Sequence, residues 1–212
     1  MEINSWSTYY SNFSRLKTIR NNFVHSYYLF KILKEKPKSV LEVGCGTGSQ
    51  SSLLSYFIKD VYAIDNNVKV IKMAKNLNKG RNGRVKYIYA DAFNLPFENN
   101  RFDLCFSQGF FEHFSNKEIL SLCKEQLRVA NMLFFSVPSD NYFGKDFGNE
   151  RLLSPKEWYE ILHKFSNDYK IDIRYYLFDL GIGSKIRMLK KTKSPVQIIK
   201  KPLHIIGKIV KK

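Results

Sequence analysis

A doubly wound α/β domain with a parallel sheet is the fold this sequence predicts, and three observations predict it. Short apolar runs rich in Val, Ile, Leu and Tyr alternate with helical patterns of about ten residues. The first run ends in a glycine cluster that opens a helix. The second and third runs each end at an aspartate, Asp65 and Asp91, so three consecutive strand ends carry binding chemistry.

Each element follows in order. Over residues 5–35, Tyr9, Phe13, Leu16, Ile19, Phe23, Tyr27 and Phe30 recur at helical spacings among polar residues, and Pro37 ends the region. Ser39–Val43 is the first strand, closed by Gly44-Cys45-Gly46-Thr47-Gly48, and residues 49–59 read as helix. Strand Val61–Asp65, helix Val68–Leu77 and strand Val85–Tyr89 follow. Phe102–Ser107 is the fourth strand, Asn116–Arg128 a helix, and Met132–Val137 a fifth strand stopped by Pro138. After a long loop over residues 139–153, Ser154-Pro155-Lys156-Glu157 carries the signature of a capping box with proline in the first turn. Ile171–Leu177 and Lys185–Leu189 are the last strand candidates, separated by a turn at Gly181-Ile182-Gly183.

Length and composition agree with one domain. The 212 residues, 44% hydrophobic and 15% aromatic, are too apolar for general disorder and long enough for a sizeable core. No window approaches the ~18 apolar residues of a membrane span, and the first residues lack the basic and apolar regions of an export signal. Cys45, Cys105 and Cys123 sit in apolar runs and read as buried reduced thiols of a cytoplasmic protein.

The charge is unevenly placed. Lys and Arg number 35 against 19 Asp and Glu, a formal +16. Ten of the basic residues, and no acidic one, lie from Lys185 onward. On a 100° wheel, residues 196–212 divide into an apolar half of Ile, Leu and Val and a basic half of lysines with His204. Pro202 should kink that helix and Gly207 loosen it. Three partners fit such a tail: an anionic membrane surface, the chain's own core or a second subunit, and a nucleic acid. The scarcity of aromatics in the tail and the excess of lysine over arginine count against nucleic acid. The resulting division is a helical cap over residues 1–36, a ligand-binding domain over 37–190, and a basic amphipathic tail over 191–212.

The glycine spacing separates nucleotide classes. A dinucleotide fingerprint would place its third glycine at Ser49, whereas this chain reads Glu42-Val43-Gly44-Cys45-Gly46-Thr47-Gly48. A carboxylate beside the loop repels a pyrophosphate and attracts a cationic ligand such as S-adenosylmethionine. Asp65 can accept both hydroxyls of a ribose, and Asp91 an exocyclic amine.

From residue 40 to 136 the chain resembles the class I S-adenosylmethionine-dependent methyltransferases of the small-molecule type. The matching pieces are Leu41–Gly48, Ile64-Asp65, Ala90-Asp91-Ala92, Leu95-Pro96-Phe97, Phe102-Asp103-Leu104 and Glu112-His113-Phe114. The resemblance implies a Rossmann-like seven-stranded sheet in the order 3-2-1-4-5-7-6 with its last strand antiparallel. It implies that Glu42, Gly44, Cys45, Gly46 and Gly48 hold the methionine end of S-adenosylmethionine and Asp65 its ribose. Asp91 and Ala92 would flank the adenine, with Asn66 touching it, and Gln108 would lie near the methionine moiety. No metal is implied.

His113, just after strand four, is the candidate general base, with helix packing or capping as its structural alternative. Tyr142, Phe143, Phe147, Asn149 and Arg151 are candidates for an acceptor site. Trp6, Tyr9 and Tyr10 form either a lid or plain packing. The expected acceptor is a small or lipid-linked molecule, reached at the inner face of a membrane. An RNA methyltransferase and a catalytically silent cofactor-binding partner module are the alternatives. Strand four ends in Ser107-Gln108-Gly109-Phe110, without the Asn/Asp-Pro-Pro motif of amino methyltransferases acting on nucleic-acid bases.

Overall fold

The computed structural model describes residues 6–11, 15–80, 84–142, 145, 147, 149–176 and 202–212. Three helices lead in: α1 (Trp6–Ser11), α2 (Arg15–Val24) and α3 (Ser26–Lys34). The alternating body follows as β1 (Ser39–Val43), α4 (Ser49–Leu54), β2 (Asp60–Asp65), α5 (Val68–Leu77), β3 (Val85–Tyr89) and β4 (Phe102–Gln108). Then come α6 (Asn116–Val129), β5 (Ala130–Pro138), α7 (Pro155–Leu162), β6 (Tyr169–Tyr176) and β7 (His204–Lys211).

The strands form one seven-stranded sheet in the order β3-β2-β1-β4-β5-β7-β6, as expected. The first five pair in parallel, and β7 runs antiparallel to both β5 and β6. Side-chain alternation sorts each strand between two cores. Leu41, Val43, Cys105, Phe135 and Ile205 pack with Leu122 of α6 and Trp158 of α7. Val40, Val61, Leu104, Phe106 and Ile206 pack on the other face with Tyr28 and Ile32 of α3 and Leu54 of α4. All three cysteines are buried and unbridged. Two capping boxes fix helix starts, Ser154 with Glu157 as read from sequence, and Ser115 with Glu118.

Two expectations need correction, and a third is not tested. The first helix after the glycine loop ends at Leu54, five residues short of the expected 59. The expected strand at 185–189 and its turn lie outside the described residues. The larger correction concerns the tail: residues 204–211 are not an amphipathic helix on a separate segment but a strand inside the sheet. Ile205 and Ile209 enter one core and Ile206 the other, so the strand, covered on both faces, shows no simple alternation, and a helical wheel also accepts it. The β-branched Ile and Val of this segment favour the strand. Of the apolar side chains offered to a membrane, Leu203, Ile205, Ile206 and Ile209 are therefore spent on the core. Lys208 reaches Glu35 at 2.8 Å and lies over the Phe134 ring.

Candidate active site

The carboxyl ends of β1, β2, β3 and β4 converge on one cleft of about 670 Å³, counting its open mouth. Its wall includes Gly44, Asp65, Asn66, Asp91, Ala92, Gly109 and His113, closed by Trp6, Tyr10, Phe93, Phe110 and Phe114. Six residues expected at the site thus share one cavity.

The glycine loop is shaped by its neighbours. Gly44, Gly46 and Gly48 all lie in the left-handed region. Gly46 is also crowded: a Cβ there would stand 2.6 Å from the Tyr10 hydroxyl, so that phenol seats directly on the loop. Asp65 holds the loop from the side, accepting from the Gly46 N–H at 3.2 Å and the Asn67 N–H at 3.0 Å. Burial raises the Asp65 pKa against those two bonds. Asp91 is exposed, and its carboxylate accepts from the Phe93 N–H at 2.9 Å.

Glu42, Cys45, Gly46, Gly48 and Gln108 are not on the cleft wall. Glu42 lies buried beneath the loop, where Oε2 accepts from the Ser51 N–H at 3.0 Å and from its hydroxyl, tying α4 to β1. Burial pushes its pKa to about 7 in spite of Ser51. Cys45 packs with Ala63 and Ile71. Gln108 accepts from the Gln50 amide at 3.4 Å.

His113 sits in a 3₁₀ turn, Phe111–His113, at the mouth of the cleft. Its Nδ1 is 2.6 Å from Asn149 Oδ1, and Trp6 meets the ring edge-on at 4.9 Å. Burial lowers the imidazole pKa, opposed by Asn149. Phe147 stacks flat on Trp6 at 4.0 Å. Phe147 and Asn149 therefore reach the site from the long loop, and α1 covers it. Tyr142 instead packs on His204, and Arg151 donates to the Phe114 carbonyl and to Asn116. Phe143 lies outside the described residues. Sequence reasoning missed Phe93, Phe110 and Phe114 as cleft walls; the only signal was their place just after β3 and β4.

Glu112 is buried with no hydrogen-bond partner for Oε2 among the described residues, and burial raises its pKa to about 8. At neutral pH Glu112 is protonated and His113 neutral, so their 3.9 Å contact is not an ion pair. Between pH 4.5 and 8 the unfolded chain ionises at Glu112 while the folded chain stays protonated, so folding stability falls as pH rises through that window. Glu112→Gln is expected to make the decline of the urea midpoint shallower across that range. Equal slopes for the two proteins would overturn this.

An open sheet of this order, with a glycine loop after β1 and acidic groups after β2 and β3, defines a nucleotide-binding doubly wound fold. The fold is that of the class I S-adenosylmethionine-dependent methyltransferases. Within it, residues 41–132 match the family model described as a methyltransferase domain. Phosphoethanolamine N-methyltransferase 3 of Arabidopsis thaliana is 32% identical over 58% of this chain and 25% of its own length. Ubiquinone biosynthesis O-methyltransferase of Coxiella burnetii is 26% identical over 72% of this chain and 64% of its own length. The chain thus spans between a quarter and just under two thirds of these relatives. Among solved structures, plantazolicin methyltransferase BpumL, crystallised with a triazolic desmethylPZN analog and SAH, aligns with TM-score 0.63 at 18% identity, covering 97% of this chain and 89% of its own.

Proposed function

We propose that this chain transfers the methyl group of S-adenosylmethionine to a small or lipid-linked organic acceptor that enters beside His113. The observation that carries the reading is the shared cleft: the Gly44 turn, Asp65, Asp91 and His113 open into one cavity with aromatic walls. The residues fit the cofactor. Asp65 presents a carboxylate at the end of β2 that, among the described residues, accepts from backbone N–H groups, and the positive-φ loop brings main chain to the cleft without side chains. Bound there, the cofactor supplies a methyl group already activated on sulfonium sulfur.

The chain's own residues orient the acceptor, exclude water and take up a proton. Trp6, Tyr10 and Phe147 cover the cleft, which suits exclusion of water. Burial keeps His113 neutral, the state that accepts a proton, and Asn149 fixes its ring. The relatives named above methylate, by their names, a phosphoethanolamine nitrogen and an oxygen in ubiquinone biosynthesis. That likeness supports a small organic acceptor methylated on oxygen or nitrogen.

His113→Gln is expected to lower kcat by roughly 10²–10⁴ for an acceptor that loses a proton, with cofactor affinity unchanged. Formation of S-adenosylhomocysteine over an acceptor panel is the readout. An unchanged kcat would reduce His113 to a packing residue.

A further inference from the structure

The two helices after the lid are inverted in their patterning. α2 and α3 are joined through His25, whose N–H bonds to Asn21 and whose carbonyl accepts from Leu29, both at 3.0 Å. Helical hydrogen bonding therefore runs on from one into the other. Counted at 100° per residue, Leu16, Ile19, Phe23 and Phe30 fall within about 60° of one another. These residues face solvent: Leu16 is 78% exposed, Ile19 52%, Phe23 60% and Phe30 59%. A polar residue of α2 faces inward instead, for the buried Asn22 donates to the Ser49 carbonyl at 3.0 Å. α4 packs against both helices, and the residues just after it, Tyr56 and Phe57, are exposed as well.

The charge beside this stripe has one sign. Residues 15–34 contain five Lys or Arg and no Asp or Glu. Arg20 and Lys34 are exposed beside the apolar line, and Lys17 is exposed further round the helix. An outward apolar stripe flanked by cations is the arrangement of a helix lying in the interface plane of an anionic bilayer, its apolar side chains among the acyl chains and its lysines at the headgroups. Contiguous exposed apolar surface of this kind marks an interaction site rather than ordinary scatter.

We infer that α2 and α3 form a membrane-surface docking face, with anionic phospholipid as its occupant. The charge favours this occupant over a second copy of the chain, because apposing two such faces would bring the exposed Lys17, Arg20 and Lys34 of both copies, six cations, together in an interface that holds no acid from this segment. The inference does not rest on the methyl-transfer reading. It also relocates the membrane contact: the tail cannot supply it from β7, whereas the lead-in helices present the required face on the surface. Only three residues separate α2 from the α1 lid.

The test is co-sedimentation of the full chain with vesicles of equimolar phosphatidylglycerol and phosphatidylcholine, against pure phosphatidylcholine. Binding is expected to the anionic vesicles and to persist in part at high salt, as buried apolar side chains require. The triple variant Leu16→Ser, Ile19→Ser, Phe23→Ser should bind roughly tenfold or more weakly while keeping its thermal midpoint. Should that variant fail to fold, Phe23→Ser alone carries the same test. Absent binding by the wild-type chain, or undiminished binding by the folded variant, would overturn the proposal. So would a wild-type dimer in light scattering that the variant converts to monomer, since the face would then join two copies.

Discussion

Asp65→Ala is expected to abolish measurable calorimetric binding of S-adenosylmethionine and S-adenosylhomocysteine while leaving the protein folded. The loss has two sources. A carboxylate that accepts from both hydroxyls of a ribose makes two charge-assisted hydrogen bonds, each worth about 1.5–3 kcal/mol. Removing it therefore weakens binding by on the order of 10²-fold or more. Asp65 also accepts from Gly46 and Asn67, so the alanine frees the glycine loop from the end of β2. Asp65→Asn separates the two effects, because its amide oxygen still accepts from one backbone N–H and its charge is gone. An intermediate affinity for the asparagine variant is the expected order. Affinity like the wild type in a folded alanine variant would sink the cofactor assignment at this position.

The readable part of the site was local in sequence. Each strand end that faces the cleft carries its own chemistry within a few residues: the glycines after Val43, Asp65 closing β2, and Asp91 two residues past β3. A parallel sheet brings such ends to one edge by topology alone, so element order was enough to assemble them. The pieces of the cover, Trp6 and Tyr10 of the lid and Phe147 and Asn149 of the long loop, were readable as separate candidates, but their meeting was not. Trp6 and Phe147 are far apart in the chain and meet only because α1 and the loop after β5 fold over the same cleft. Asn149 on His113 is the same kind of contact.

Periodicity failed where its assumption about burial failed. Leu16, Ile19 and Phe23 have the spacing of a core-facing helix yet point outward, because spacing identifies an apolar face without saying what covers it. The tail failed for the opposite reason. The apolar residues of β7 are buried on both sides of the strand, so no period of two was left to see there. Pro202 and Gly207, both awkward for a helix, were the available signals, together with four β-branched residues among the eight of β7.

Gly207 allows the strand and helix readings of the tail to be separated by one methyl group. In an exposed or loosely docked helix, Gly207→Ala would stabilise the protein by up to about 1 kcal/mol, since glycine is the poorer helix former. In β7 the same change must destabilise it. Gly207 pairs with Phe135 of β5, and a Cβ placed on it would stand 2.1 Å from two carbons of that ring. The ring has nowhere to go: Phe135 is fully buried, with Phe111 at 5.4 Å on one contact and Trp158 at 5.4 Å on another. Relief therefore needs a shift of β7 or a strained rotamer in the core, at a cost of about 1–3 kcal/mol or more. Gly207→Ala is expected to lower the urea midpoint accordingly, with the slope unchanged. Phe135→Leu alone should also destabilise, by loss of packing. Combined with Gly207→Ala it should cost less than the sum of the two, because the smaller side chain leaves room for the new methyl. That positive coupling distinguishes a local clash from a general loss of stability. A stabilising Gly207→Ala, or strict additivity with Phe135→Leu, would remove β7 from beside β5 and return the tail to the surface.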